Sequence, residues 1–141
     1  MPENLKLHYV VEEDDFTSAG AASGDVKKLL RQLGANPDVI RKVAISMYEG
    51  EINMVIHANG GVIDVEISPT RITMVLTDHG PGIPDVEAAM QEGFSTAPDR
   101  IRSLGFGAGM GLPNMKKYAD TLKIDTVVGK GTTITMTVNM K

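Results

Sequence analysis

Glu49, Asn53 and His57 recur at intervals of four residues inside the segment 37–57. Side chains four residues apart share one face of a helix. An ionised carboxylate and an amide on a packed helix need polar partners. One interpretation is that these side chains pair inside the fold. The other is a site in which the amide oxygen coordinates a hard cation such as Mg²⁺ and the carboxylate one turn away acts as a base.

The rest of this helix is apolar around much of its second half, which is typical of a buried helix. The apolar residues are Ile45, Met47, Ile52, Met54, Val55 and Ile56. Glu51 lies on a different face from Asn53, and we predict that its carboxylate is solvated or paired. Gly50 follows the candidate base directly, and a glycine inside a helix should loosen it by about 1 kcal/mol relative to alanine.

A second polar feature is the stretch VLTDHGPGIPD, residues 75–85. Asp78 ends an apolar run, and its carboxylate could accept a hydrogen bond from the amino group of a ligand. Gly80 and Gly82 would allow the backbone to approach that ligand closely. An Asx turn that closes the strand explains the same residues equally well.

The third feature is GFGAGMGLPN, residues 105–114, which has glycine at every second position up to Gly111. A glycine-rich loop that leads into a helix can bind phosphate through backbone N–H groups and the helix dipole. A flexible loop is the alternative interpretation. The spacing does not match GxxxxGK[ST], and no βαβ unit surrounds it, so neither a P-loop nor a Rossmann site is indicated.

Taken in order along the chain, these features resemble the GHKL ATP-binding superfamily. Within it, DHGPGIPDVEAAMQEGFSTA and GFGAGMGLPNMKKYAD followed by VGKGTT are similar to the anti-sigma-factor serine/threonine kinases of bacteria, especially the stress-response switch kinases. The resemblance implies that Asn53 binds Mg²⁺ and that Glu49 is the catalytic general base. It also implies that Asp78 recognises the adenine amino group.

The same resemblance implies a mobile ATP lid over residues 93–111, whose glycines close over the phosphates. It leaves open whether Thr132 or Thr133 lies at the adenine end. The complete set of implied nucleotide-binding residues is Asn53, His57, Asp78, Gly80, Gly82, Ile83, Gly105, Gly107, Gly109, Met110, Gly111, Leu112, Thr132 and Thr133.

The elements that must position these residues can be predicted from periodicity and turn signals. We predict a strand over 5–11, a helix ending at Gly34, and a long helix over 37–57 with Asn36 as its N-cap. Strands over 62–68 and 71–78, a short helix over 85–93, a helix beginning near Leu112 and a hairpin of strands 121–129 and 132–141 follow. The order indicates an α+β two-layer sandwich with a mixed, mainly antiparallel sheet covered on one face by helices. We expect one domain spanning 1–141.

Composition limits the function classes. The chain has 141 residues, a net charge of −4 and no cysteine. Disulfides and thiol chemistry are therefore excluded, and an acidic chain does not favour nucleic acid as a partner. No apolar run is long enough to cross a bilayer, and we expect a cytoplasmic protein without a membrane partner.

The resemblance implies a protein kinase that uses ATP and Mg²⁺ to phosphorylate a Ser or Thr of a small antagonist-type partner protein. An alternative is a nucleotide-switched binding module, or an ATPase subunit, that regulates a partner without significant kinase activity. Further partners consistent with either are a sigma factor, a phosphatase or an enzyme complex. The strand over 5–11 could also support a homodimer.

Overall fold

The computed structural model describes residues 4–12, 19–57, 60–80, 82–83, 86, 90 and 111–140, without the side chains of residues 56 and 57. Its elements in chain order are β1 (Leu5–Glu12), α1 (Ala21–Gln32), α2 (Pro37–His57), β2 (Gly60–Ile67), β3 (Arg71–Thr77), α3 (Gly111–Tyr118), β4 (Thr121–Val127) and β5 (Gly131–Asn139). Over these residues, no helix is both long and apolar enough to cross a membrane.

The five strands form one sheet in the order β1-β2-β3-β5-β4, and each pair of neighbours is antiparallel. The predicted α+β two-layer fold is confirmed. β1 is an edge strand, as predicted, because it pairs only with β2 among the described strands.

One face of the sheet is buried under the helices. Side chains alternate between the two faces of a strand, so every second residue points to the core. The buried side chains of β3 are Ile72, Met74 and Leu76, and those of β5 are Thr132, Ile134, Met136 and Val138. The outer face of the three strands β3, β5 and β4 instead carries threonines, namely Thr73, Thr77, Thr133, Thr135, Thr137 and Thr121.

α2 has the predicted limits. Asn36 accepts a hydrogen bond from the backbone N–H of Asp38 at 2.8 Å, which is the expected N-cap contact. α1 runs from Ala21 to Gln32, and the predicted C-terminal glycine, Gly34, follows it in the left-handed region with φ 74°. The backbone N–H of Ala35 bonds to the carbonyl of Leu30 at 3.0 Å, which closes a Schellman motif.

The predicted helix over 85–93 lies mostly outside the described residues. Met90 donates its backbone N–H to the carbonyl of Val86 at 3.0 Å, which is one helical turn.

Gly50 has a packing reason that the sequence did not reveal. A Cβ placed on Gly50 would lie 2.5 Å from Cδ2 of Leu76 on β3 and 3.5 Å from Sδ of Met115 on α3. Gly50 therefore marks a close approach of α2 to both the sheet and α3. Glycine at this position still lowers the helix propensity of α2, as predicted. It also permits close contacts with β3 and α3 that a larger residue would prevent, and these contacts offset the lower propensity.

We expect Gly50→Ala to lower the free energy of unfolding by about 1–3 kcal/mol, because the new methyl overlaps Leu76. Gly24→Ala in α1 is the matched control, since a Cβ there meets nothing within 4 Å. The control should raise stability by about 0.5–1 kcal/mol through helix propensity. Urea unfolding measures both. A stabilised Gly50→Ala protein would show that the close approach is not tight.

Candidate functional site

Glu49 is half-buried on α2 and is held by a residue of α3. Asn114 donates Nδ2–H to Oε2 of Glu49 at 2.8 Å. Burial raises the pKa of the Glu49 carboxyl, and the hydrogen bond from Asn114 opposes this by favouring the ionised form. The result is an oriented carboxylate that is a better proton acceptor than a solvated one.

Asn53 lies one turn after Glu49 and faces the first residue of α3. A Cβ on Gly111 would lie 3.3 Å from Oδ1 of Asn53 and 3.5 Å from its Cγ. The missing side chain leaves the amide oxygen accessible at the point where α3 begins. Gly111 is the first residue of α3, whereas we predicted it in the loop before the helix.

Asp78 follows β3 and is held by two backbone donors. Its Oδ1 accepts hydrogen bonds from Gly80 N–H at 2.9 Å and from Thr132 N–H at 3.1 Å. Its own N–H bonds to the carbonyl of Thr132 at 2.9 Å. The first of these contacts is an Asx turn, so the turn interpretation is correct. Both side-chain bonds that Asp78 makes to described residues use Oδ1, so Oδ2 has no partner among those residues.

Two threonines connect Asp78 to Ile83 through hydrogen bonds. The hydroxyls of Thr126 and Thr132 are 2.9 Å apart, and Ile83 donates its N–H to Oγ1 of Thr126 at 2.9 Å. Gly82 has φ 80°, and a Cβ there would lie 2.7 Å from the carbonyl oxygen of Val127. The turn after Asp78 is thus packed directly on the β4–β5 hairpin.

The structure brings several predicted site residues together in two groups. Glu49, Asn53 and Gly111 form one group, and Asp78, Gly80, Gly82, Ile83 and Thr132 form the other. Thr132 is the threonine that contacts Asp78. Thr133 points to the outer face of the sheet, opposite Thr77 and Asp125.

Other predicted residues do not join this set in the described part of the chain. The side chain of Leu112 is buried in the core, so only its backbone could meet a ligand. Gly105, Gly107, Gly109 and Met110, with the rest of the predicted lid before Gly111, lie outside the described residues, as does the side chain of His57.

Sequence reasoning missed Asn114 and Thr126. Asn114 lies in the first turn of α3, three residues after Gly111, and that position after the glycine stretch was the only signal. Thr126 is directly opposite Thr132 in the β4–β5 register, so correct pairing of the hairpin would have revealed it.

We predicted that the carboxylate of Glu51 is solvated or paired, and the first of these alternatives is wrong. Only 3% of the residue is exposed. Its carboxylate accepts three backbone N–H bonds, from Gly20 at 3.0 Å, Ala22 at 3.2 Å and Ser23 at 3.0 Å. These donors lie at the start of α1, where helical N–H groups have no intrahelical partner. Glu51 therefore caps α1 from the neighbouring helix.

Comparison with known proteins agrees with this geometry. Residues 13–138 match the family model described as histidine kinase-like ATPase domain. The chain belongs to this ATPase family. Within the family it is 30% identical to the serine/threonine-protein kinase RsbT of Bacillus subtilis, over 89% of each chain. It is 35% identical to the anti-sigma F factor of Caldanaerobacter subterraneus, over 75% of this chain and 74% of that protein.

Two solved structures share the fold of this chain. A Mycobacterium tuberculosis protein with RsbU and RsbW domains superposes with a TM-score of 0.63 at 17% identity, covering 95% of this chain and 31% of that one. The mycobacterial sensor histidine kinase MprB superposes with a TM-score of 0.52 at 19% identity, covering 99% and 97%.

Membership of this ATPase family confirms the resemblance found in the sequence. The chain is a nucleotide-binding domain of the anti-sigma-factor kinase type, and its class is that of ATP-dependent serine/threonine kinases. The chain covers most of the length of these curated relatives.

We expect Glu51→Ala to destabilise the protein by about 2–4 kcal/mol, because three N–H donors of α1 lose their acceptor in a buried site. Glu51→Gln keeps one acceptor oxygen and should cost less than half as much. Chemical unfolding measures the two variants, and Glu12→Ala on an exposed position of β1 is the control. Equal stability of Glu51→Ala and Glu51→Gln would contradict the capping role.

Proposed function

We propose that this chain, acting as one domain over 1–141, transfers the γ-phosphoryl group of ATP to a Ser or Thr of a small antagonist-type protein. The observation that carries the proposal is the half-buried Glu49 carboxylate, oriented by Asn114 and one turn from the Asn53 amide. Phosphoryl transfer depends mainly on positioning and charge neutralisation, so this small set of groups is sufficient.

In this mechanism Glu49 accepts the proton of the substrate hydroxyl. The hydroxyl oxygen forms the new bond to the γ-phosphorus, and the bond from that phosphorus to the ADP oxygen breaks with its electron pair on ADP. A carboxylate whose pKa is raised by burial is better matched to this proton transfer than a solvated one. Asn114 fixes which oxygen of Glu49 faces α3, and so leaves Oε1 for the substrate.

The residues present fit a Mg²⁺ ion bound together with ATP. Mg²⁺ prefers oxygen ligands and usually takes few of them from protein when phosphates are present. Asn53 supplies one amide oxygen, and the bare Cα of Gly111 keeps space beside it. When bound, the ion would neutralise charge on the phosphates. The backbone of the predicted lid, residues 93–111, would close over the same groups.

Asp78 is proposed to select adenine. Because the Asx turn and Thr132 both use Oδ1, Oδ2 would accept the hydrogen bond from the adenine amino group. The hydroxyls of Thr126 and Thr132 would form a polar edge of the proposed adenine site beside Asp78. Further candidate partners are a sigma factor, a phosphatase, an enzyme complex and a second copy of this chain, and the name anti-sigma F factor supports the first of these.

We expect Glu49→Gln to reduce phosphotransfer at least about 100-fold while ATP binding is retained. The raised pKa of Glu49 means that its contribution to stability is present at pH values below the ordinary carboxyl pKa and is lost as pH rises through the folded value. Glu49→Gln should therefore have a higher melting temperature than the wild type near neutral pH, and this difference should vanish in acid. Transfer of labelled phosphate to a candidate antagonist-type protein measures the activity, and thermal unfolding measures the melting temperature.

A Glu49→Gln protein that transfers phosphate at the wild-type rate would refute the role of Glu49 as the general base. ATP binding without transfer by the wild type would instead favour the nucleotide-switched binding module. In that case partner affinity should differ between the ATP and ADP complexes.

Removal of the Asn114 side chain should move the acid limb of the phosphotransfer pH profile to higher pH. Asn114→Ala removes the hydrogen bond that lowers the pKa of Glu49, while burial, which raises it, remains. At a pH well above the pKa of Glu49 in both the wild type and the variant, the rate of phosphotransfer by Asn114→Ala should stay near that of the wild type. Lys116→Ala, exposed on the same helix, is the control and should leave the limb in place. An unmoved limb in Asn114→Ala would show that Asn114 does not act on Glu49.

Asp78→Asn should abolish the stabilisation of the protein by ATP with little change in its melting temperature without nucleotide. Asparagine keeps Oδ1 for Gly80 and Thr132 but presents an N–H donor to the adenine amino group. At a hundredfold excess of ATP over its Kd, the wild type should gain about 2.7 kcal/mol. Thermal unfolding with and without ATP and Mg²⁺ measures this. An equal shift in both proteins would place adenine recognition elsewhere.

A further inference from the structure

A groove of about 580 Å³ lies between the second half of α1 and the first half of α2. It is lined by two sets of residues. We call the apolar set, Ala35, Pro37, Ile40, Ala44 and Ile45, its floor, and the basic set, Lys27, Arg31 and Arg41, its rim. A groove between two helices with an apolar floor is the geometry that accepts an amphipathic helix.

The charge of this groove is opposite to that of the whole chain. Every charged side chain that lines it in the described structure is basic, whereas the chain has a net charge of −4. The ion pairs found among the described residues involve none of Lys27, Arg31 and Arg41. Arg41 stands over the ring of Tyr118, with 5.5 Å from Cζ to the ring centroid, and this stacking holds its guanidinium at the rim.

The groove ends next to the proposed base. Ile45 is one helical turn before Glu49, which is about 6 Å along the axis of α2. Lys27 and Arg31 are also one turn apart, on α1, so they would match carboxylates spaced by one turn on a partner helix. A helix that lies in this groove would therefore deliver the chain that follows it to the vicinity of Glu49.

We propose that this groove docks an acidic amphipathic helix of the protein substrate, and this rests on the kinase function proposed above. Apolar side chains of that helix cover the floor, and its carboxylates meet Lys27, Arg31 and Arg41. Docking at a distance from the reacting hydroxyl lowers the KM for the protein substrate without entering the chemical step.

The first test is the kinetics of phosphotransfer by Arg31→Glu/Arg41→Glu. Reversal of two rim charges should raise the KM for the protein substrate at least about tenfold with kcat unchanged. The control Lys28→Glu/Lys123→Glu carries the same change in net charge at exposed positions outside the groove and should keep the wild-type KM. A KM within about twofold of the wild type in the groove variant, or an equal rise in the control, would overturn the proposal.

The second test does not depend on catalysis. The probe is a fluorescent helical peptide with leucines at i, i+3 and i+7 and glutamates one turn apart, and a matched peptide has lysine in place of each glutamate. The wild type should bind the acidic peptide at least about tenfold more tightly than Arg31→Glu/Arg41→Glu does, and added salt should weaken this binding. No preference for the acidic peptide, or equal affinity of the variant, would overturn the docking site.

The two proposals fail in different ways. Acidic-peptide binding that needs Arg31 and Arg41, in a protein that transfers no phosphate, would refute the kinase function and keep the groove. Transfer that depends on Glu49 but is indifferent to both arginines would refute the groove and keep the kinase function.

Discussion

The close approach of α2 to the sheet at Gly50 is the constraint on which the rest of the molecule depends. At this point α2 contacts Leu76 of β3 and Met115 of α3 together. Leu76 is two residues before Asp78, and Met115 is next to Asn114. A single glycine therefore sets how far α2 lies from the strand that leads to Asp78 and from the helix that orients Glu49.

Two glutamates two residues apart meet opposite environments because a helix turns by about 200° between them. Glu51 faces α1 and satisfies three backbone donors, so its negative charge is compensated where it is buried. Glu49 faces α3, remains half-exposed and accepts one side-chain hydrogen bond from the described part of the chain. The carboxylate of Glu51 thus holds three structural hydrogen bonds, whereas that of Glu49, the proposed base, holds one among the same residues.

Local signals were sufficient for most of the fold. Asn36 and Pro37 fixed the start of α2, Gly34 fixed the end of α1, and alternation in β3 and β5 gave the sheet. The parts that local signals missed depend on distant segments. Glu51 finds its donors about 30 residues earlier in the chain, and Asn114 reaches Glu49 across 65 residues. No window of sequence contains both partners of such contacts, so their chemistry was visible only after folding.

The described helices lie on one face of the sheet, and threonines on the opposite face explain how a two-layer fold tolerates contact with water there. Threonine has the branched Cβ that favours strands, but its hydroxyl keeps the surface hydrated. Thr73 opposite Thr137 and Thr77 opposite Thr133 are isosteric with valine. Substitution of a few of these threonines by valine would make this hydrated face apolar enough to pack against another domain, without altering any strand. The change from a hydrated sheet face to an interface with another domain is therefore only a few substitutions long.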